Sequence, residues 1–445
     1  MKIALVHDYL REYGGAERVL EALHDLCPDA PVYTAFVDSV ALGIHWQKFK
    51  SWDLRETWIT DLPFYKQLYS PYRIFAPKAF KDLDLAEYEV VISSSNAYFA
   101  KAVRVPNGKH YCYCHTPARS LYGYSTMSDW KKNWLTRIGG SLINHYLRMV
   151  DFEVAQKVDQ FIANSKETQR RIKKFYRRDS VVIYPPVNIP EKIDVDVRKK
   201  ALKNGYYLYV NRLAFAKHPE IAVQACTQLS VPLKVVGDGK MLDQLKQVAG
   251  PTIEFCGSVS DQQLFELYQG ARALLYPVED EDFGIVPVEA LGQGVPVIAH
   301  NSGGPRETIQ SGKTGLLFDQ LSVGGLMEAI KEAGKIIFKP TILHNQAKRF
   351  SEKIFIREVK KIIEWINLGW SKRRKMATTP ETDPTALDNC QMPDTEYAFI
   401  GGRRYRVIAF EPAAIRSIVA YTTWFFEQPS NHSDQAQHTS NKKPW

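Results

Sequence analysis

The stretch from Glu281 to Glu307, EDFGIVPVEALGQGVPVIAHNSGGPRE, constrains the fold more than any other part of the chain. Phe283-Gly284 reads as a tight turn that opens a helix. Pro287 stands where a helix can begin, because the N–H that proline lacks has no intrahelical partner in a first turn. The helix is short and ends at Gly292 or Gly294. Val295 to Ala299 reads as a buried strand, and Gly303-Gly304 as a second glycine turn. The segment is thus a loop, a helix N-terminus, a strand and a loop. Backbone N–H groups at Gly284, Ile285 and Val286 face whatever lies above the helix, and such an N-terminus suits a phosphate or a sugar hydroxyl. Glu281 and Glu289, spaced E-x7-E, frame it.

The same α/β rhythm runs through the chain. Lys2 to His7 is a continuous apolar strand of the kind buried in a parallel sheet. Gly14-Gly15-Ala16-Glu17-Arg18 then leads into a helix to about Leu26, the opening of a βαβ unit. The loop is not G-x-G-x-x-G, so a dinucleotide fingerprint is absent. Further buried strands are expected at Tyr88–Ser94, Lys109–His115 and Val181–Tyr184. In a second half they are expected at Tyr206–Asn211, Leu233–Gly239, Thr252–Gly257 and Ala271–Pro277. Ser260 caps a helix over Asp261–Gln269. The alternation from 206 to 333 implies a parallel, doubly wound sheet.

This gives a first domain over 1–187, a polar linker over 188–204 and a second domain over 205–350. After Gly334 the chain reads as helical to about Trp370, with 351–370 crossing back to the first domain. A tail over 371–445 has no assigned role: it opens as a charge-rich, Pro/Thr-rich linker, holds a hairpin at 397–410 about Gly401-Gly402, and ends polar and disordered over 429–445. The 445 residues allow two or three domains, and 45% hydrophobic with 24% charged residues is a soluble globular composition. No apolar run is long enough for a membrane span, and the start, MKIALVHDYL, turns polar too soon for a signal peptide.

Six scattered cysteines suit a reducing cytoplasm. Cys112-Tyr113-Cys114-His115 lacks the spacing of a zinc site, and Asp194-Val195-Asp196 lies in the linker, so no metal is expected. A net charge of +9 suits an anionic partner. No nucleic-acid-binding pattern accompanies it, which leaves a phosphorylated substrate and the inner face of an anionic membrane. Two stretches bear on the membrane. Residues 45–80, rich in Trp, Tyr and Phe, are either an irregular insertion with its own core or an acceptor surface. A long helix at about 128–158 precedes KETQRRIKKFYRR, a basic helix that is either a membrane face or a solvated one.

With FG, GVPV and GGPRE in register, the segment from Glu281 resembles the signature of retaining glycosyltransferase family 4. That signature is E-x-FG-x-x-x-x-E followed by G-x-P-V and GG-x-x-E. RLAFAK, with Arg212 and Lys217, resembles the family's R-L-x-x-x-K, although Asn211 stands where a glycine is usual. The resemblance covers about residues 1 to 370. It implies the GT-B fold, two Rossmann-like doubly wound domains facing a cleft, with the C-terminal extension outside it.

By the same resemblance Glu281 holds the donor sugar's hydroxyls and Glu289 the ribose hydroxyls. Arg212 and Lys217 carry the charge of the leaving nucleoside diphosphate. Phe283, Gly284 and Ile285, with the glycine turn at Gly237, approach the donor, and the turn at Gly14 and Gly15 approaches the donor phosphates or the acceptor; the other reading of that turn is a plain strand-to-helix connection. YCHTPARSLYG resembles a subgroup that includes mannosyltransferases of O-antigen synthesis. In that subgroup the equivalent of His115 lines the cleft; the other reading of His115 is a hydrogen-bonded core histidine. Arg119 would meet phosphate or acceptor. The implied reaction uses a nucleotide-sugar donor as substrate, GDP-mannose by the YCHTP match, and no cofactor. The acceptor is lipid-linked or a polysaccharide. Attack comes from the same face, with the donor's phosphate oxygen taking the acceptor proton. The competing readings are a catalytically silent nucleotide-sugar-binding subunit, a GT-B epimerase and a dinucleotide-dependent oxidoreductase.

Overall fold

The structure, a computed structural model, describes residues 1–125, 134–363, 397–400 and 403–406, without side chains at 134–139 and in the last two segments. The first sheet contains β1 (Ile3–His7), β2 (Val32–Thr34), β3 (Leu54–Glu56), β4 (Val90–Ser95), β5 (Lys109–Cys114), β6 (Gln160–Ala163) and β7 (Ser180–Val182). The second contains β8 (Tyr206–Val210), β9 (Leu233–Val236), β10 (Ile253–Gly257), β11 (Ala271–Tyr276), β12 (Val297–His300) and β13 (Gly315–Phe318). Their orders are β3-β2-β1-β4-β5-β6-β7 and β10-β9-β8-β11-β12-β13, and neighbouring strands pair in parallel.

These are two Rossmann-like domains of the GT-B type. In each, the strand order reverses beside the first strand, between β1 and β4 and between β8 and β11. A crevice opens at the carboxyl ends there. The central strands are closed to solvent on both faces, as in β4, where every residue of VVISSS is buried, the three serines at its carboxyl end included.

Two stretches differ from expectation. The stretch 188–204 is not only a linker: Val195–Asn204 is helical, and Asp194 caps it by accepting the N–H groups of Asp196 and Val197 at 3.0 Å. Arg198 on that helix is buried and donates to the carbonyls of Tyr268 (3.0 Å) and Ala271 (2.8 Å), which binds the helix to the second domain. The stretch after Gly334 is broken. Pro340 opens a separate helix, Pro340–Ala347, and a 3-10 turn, Lys348–Phe350, ends it before a helix over 352–363. On that last helix Phe355 and Val359 lie in the first domain's core with Leu5, Leu20 and Tyr113.

Residues 45–80 hold β3, short helices and turns, and their Ile59, Tyr65 and Tyr69 share a core with Phe36 and Tyr98. The long helix spans Trp134–Gln156, and the part expected at 128–133 lies outside the described residues. In the tail, Tyr397–Ile400 pairs antiparallel with Arg403–Arg406. The rest of the expected hairpin, and 371–396 and 411–445, lie outside the described residues. Among the described residues no helix is long and apolar enough to cross a membrane.

Candidate active site

Glu281 and Glu289 stand at either end of one turn and short helix, in unlike surroundings. Glu281 follows β11, and only 12% of its side chain is exposed. Lys217 Nζ donates to Glu281 Oε2 at 2.5 Å, and the Tyr276 hydroxyl donates to the same oxygen at 2.7 Å. Burial pushes this carboxyl up, but the Lys217 charge, the Lys217 and Tyr276 hydrogen bonds and the nearby Arg119 outweigh it and hold it at about 2. Tyr276 is pushed well above the ordinary phenol range, by burial first and by Glu281 second, so it keeps the proton it donates.

Glu289 lies on the helix Ile285–Gly292 and is held from the other domain. Arg18 Nη1 donates to its Oε1, while the Tyr268 hydroxyl is 3.4 Å from its Oε2. Between the glutamates, Gly284 takes φ 85°, a left-handed conformation that costs glycine little. No side chain caps the helix there, so its first-turn N–H groups remain directed out of the helix start.

Gly303 and Gly304 explain the second glycine turn. A Cβ on either would lie 2.1 Å from a carbonyl oxygen, that of Glu281 or of Phe283. The bare backbone lets Gly304 N–H reach the Glu281 carbonyl at 2.8 Å, which fixes the loop that carries Glu281. Phe283 is buried against Tyr184 and Phe350. Gly237 packs on the Asn211 carbonyl, 2.0 Å from where a Cβ would sit, and so shapes the loop before Arg212. Gly15 lets the first domain approach the helix start: a Cβ there would meet Ile285 Cδ1 at 2.8 Å.

The two expected phosphate-binding cations have different partners. Lys217 is on Glu281. Arg212, half exposed, donates to Glu12 of the first domain at 2.6 Å. A cavity of about 290 Å³ lies beside Glu289 and Arg18, lined also by Tyr13, Lys48, Asp261 and Tyr268.

On the first-domain side, His115 follows β5 and is only 7% exposed. Its Nε2 is 2.8 Å from Ser94 Oγ, and Ser94 Oγ is 3.1 Å from His7 Nδ1. His7 Nε2 is 3.4 Å from Glu17 Oε1, and Glu17 Oε2 accepts the Gly14 N–H at 2.8 Å. A hydrogen-bonded chain therefore runs from His115 to the glycine turn at Gly14. Burial, then the neighbouring His7, lower His115 to about 3, so it is neutral. Asp8 organises the next loop by accepting the N–H groups of Asn96, Tyr98 and Ala100, each at 2.8 Å.

Two of the expected site features have protein partners. Arg119 is engaged by protein: it donates to the Asp280 carbonyl at 3.1 Å and to Asp282 at 3.2 Å. The basic helix Lys166–Tyr176 is no plain membrane face. Its Arg171 is buried and donates to the Asp282 carboxylate and, at 2.8 Å, to the Asp280 carbonyl. Its N-terminus takes Glu307, which accepts the N–H groups of Lys166 (2.9 Å) and Glu167 (2.8 Å), the favourable end of the helix dipole for an anion. These contacts join the first domain to the loop just before and after Glu281.

Two family models match in tandem: Glycosyltransferase Family 4 over residues 13–190 and Glycosyl transferases group 1 over 191–350. The chain belongs to glycosyltransferase family 4. It is 27% identical to the alpha-1,3/1,6-mannosyltransferase ALG2 of Kluyveromyces lactis over 374 residues, covering 69% of this chain and 71% of that one. Over a shorter stretch, 29% of this chain and 35% of the relative, it is 34% identical to a GDP-mannose-dependent alpha-mannosyltransferase of Mycolicibacterium smegmatis. Among solved structures, the sucrose-phosphate synthase of Thermosynechococcus elongatus superimposes with a TM-score of 0.60 at 17% identity, covering 83% of this chain and 100% of that one. The lipopolysaccharide outer core galactosyltransferase WaaB superimposes with 0.57 at 18% identity, covering 82% and 99%. At such identities these two speak for the fold.

In this family 4 chain the structure brings together Glu281, Lys217 and the Gly284 turn, and brings Glu289 against Arg18. It sets His115 behind a hydrogen-bonded chain and Arg212 on Glu12. Sequence reasoning missed Tyr276, Arg18, Glu307, Asp282 and Arg171. Arg18 carried a faint signal: a cation in a helix's first turn opposes the dipole and needs another reason to be there.

Proposed function

We propose that the protein transfers mannose from GDP-mannose, with retention of anomeric configuration, to a lipid-linked or polysaccharide acceptor. The observation that carries this reading is the pair of fixed carboxylates on either side of the uncapped Gly284 turn. A sugar hydroxyl and a ribose diol each need an acceptor held in place, and a diphosphate between them needs N–H groups and cations. Glu281 then accepts from the sugar hydroxyls and Glu289 from the ribose. Lys217, Arg212 and the N–H groups of Gly284 and Ile285 take up the charge that gathers on the leaving GDP.

The acceptor hydroxyl oxygen bonds to the anomeric carbon as the bond from that carbon to the phosphate oxygen breaks, on the same face. Its proton passes to the departing phosphate oxygen. Glu281, held near 2, has no proton to give at neutral pH. It is an acceptor of hydrogen bonds, unlike the raised acid of a glycosidase, and an epimerase's acid–base chemistry has no donor in it. The glycine turns at Gly14, Gly15 and Gly237 set how closely the two domains approach the donor, and the chain from His115 to Gly14 positions the first of them. Mannose and GDP are taken from the relatives' names and from the YCHTP run. The protein works as a peripheral protein at the cytoplasmic face of a membrane, with the donor as the only small molecule it requires.

Calorimetric titration with GDP, UDP and ADP in chelator tests the donor. Selective GDP binding is expected. A preference for UDP or ADP discards mannose, and binding of none discards the nucleotide-sugar reading. Proton NMR of the first sugar released from GDP-mannose tests the stereochemistry: the α-anomer is expected, and the β-anomer would exclude retention.

A further inference from the structure

Over residues 142–155 the helix Trp134–Gln156 carries apolar residues on two opposite sides. Inward, Leu147, Val154 and Ala155 are buried in the first domain, with Asp151 among them paired to the buried Lys101 at 2.6 Å. Half a turn round, Leu142, Tyr146 and Met149 repeat at a spacing of four and then three and stand 69%, 49% and 56% exposed. Residues so spaced fall in one narrow stripe. A helix facing water on its outer side is polar there, so an apolar outer stripe marks a surface that something covers.

The charges around it say what. At the stripe's C-terminal end Glu153 lies in the field of Lys157, Lys81 and Arg104. Lys81 and Arg104 are exposed and make no ion pair among the described residues. Arg148, beside Met149, is also exposed. On the adjoining insertion Arg73 donates to Asn144 of this helix at 3.0 Å, and nearby Phe75 and Phe64 project from the surface. Protruding apolar side chains among exposed cations match an anionic bilayer, where rings and aliphatic chains enter the headgroup region and cations meet lipid phosphates. A second copy of the chain would bring the same excess of cations to the interface.

We propose that this stripe seats the first domain on an anionic bilayer, with Leu142, Tyr146 and Met149 inserted and Lys81, Arg104 and Arg148 on the headgroups. The inference extends the reading of a lipid-linked acceptor but does not depend on it. It also moves the membrane face from the basic helix Lys166–Tyr176 to its neighbour.

The test is co-sedimentation of the full chain with vesicles of phosphatidylcholine alone and of equal parts phosphatidylcholine and phosphatidylglycerol. The wild type is expected on the anionic vesicles. The triple variant Leu142→Ser, Tyr146→Ser, Met149→Ser is expected to stay in solution, and Lys81→Glu with Arg104→Glu to weaken binding about fivefold per cation. Both variants should keep the wild-type melting temperature and GDP binding. A wild type that ignores anionic vesicles, or a triple variant that binds them as the wild type does, overturns the proposal. So does a dimer in light scattering that the triple variant dissociates, which would make the occupant a second copy. Because GDP binding is read on the same preparations, a failure of the donor reading shows separately.

Discussion

Glu281 and Glu289 sit in one loop and helix, yet they are held from different domains. The partners of Glu281, Lys217 and Tyr276, both come from the second domain, so its carboxylate stays ionised and aimed whatever the first domain does. Glu289 is tied to Arg18 of the first domain. The cations divide the same way: Lys217 is held within its own domain, and Arg212 is tied to Glu12 across the cleft. The sugar end of the proposed site is thus preassembled, and the ribose and phosphate ends are completed between domains. A movement that separates the domains changes the second group and leaves the first intact.

That contrast can be broken from either side. Tyr276→Phe removes a donor to a mostly buried carboxylate, a bond of about 1.5–3 kcal/mol. We expect kcat/KM for GDP-mannose to fall about ten- to a hundredfold, with GDP binding unchanged. Equal kinetics would mean that Lys217 alone holds Glu281. Arg18→Gln attacks the other end. The donor KM should rise about tenfold, the worth of one charge-assisted hydrogen bond, and solution scattering should report a larger radius of gyration. An unchanged KM would remove Arg18 from the site.

Smaller effects sharpen the comparison. Glu12→Gln frees Arg212 from an exposed pair, so donor affinity should rise by no more than about fivefold and the gain should fade in high salt. Weaker binding would mean that Glu12 itself serves the donor. The smallest effect concerns His115, lowered by burial to about 3 from an ordinary 6.5. Its neutral form contributes stability that is complete above about 6.5 and declines as pH falls towards 3. His115→Gln should shrink the loss of melting temperature between neutral and mildly acid buffer, and an undiminished loss would contradict the assignment.

The second-domain face of this site is legible in the sequence because its parts are contiguous. Glu281, the Gly284 turn, Glu289 and the Gly303-Gly304 turn lie in one run, and each has a local physical reason for its residue type. The first-domain face is not. His7, Ser94 and His115 become neighbours only through the strand order β1-β4-β5, which no local pattern specifies. Tyr276 reads as one more aromatic in a buried strand, and its hydroxyl matters only once Glu281 folds back over it. Arg171 reads as one cation in a basic helix, and its partners, Thr116 of the first domain and the second domain's loop at Asp282, separate it from the solvated ones beside it. The helix Val195–Asn204 looks like linker because its buried residues are only Ala201 and an arginine, whose partners are carbonyls distant in sequence.

The most direct test of a preassembled sugar end and a shared ribose end is calorimetry of GDP and GDP-mannose on the wild type, Glu281→Ala and Glu289→Ala. Glu281→Ala should bind GDP as well as the wild type or better, since Lys217 is then free for phosphate, and should lose the added affinity that the sugar confers. Glu289→Ala should lose affinity for both ligands by the same factor. If Glu281→Ala loses GDP itself, or if Glu289→Ala binds GDP normally, the division of labour between the two glutamates is wrong.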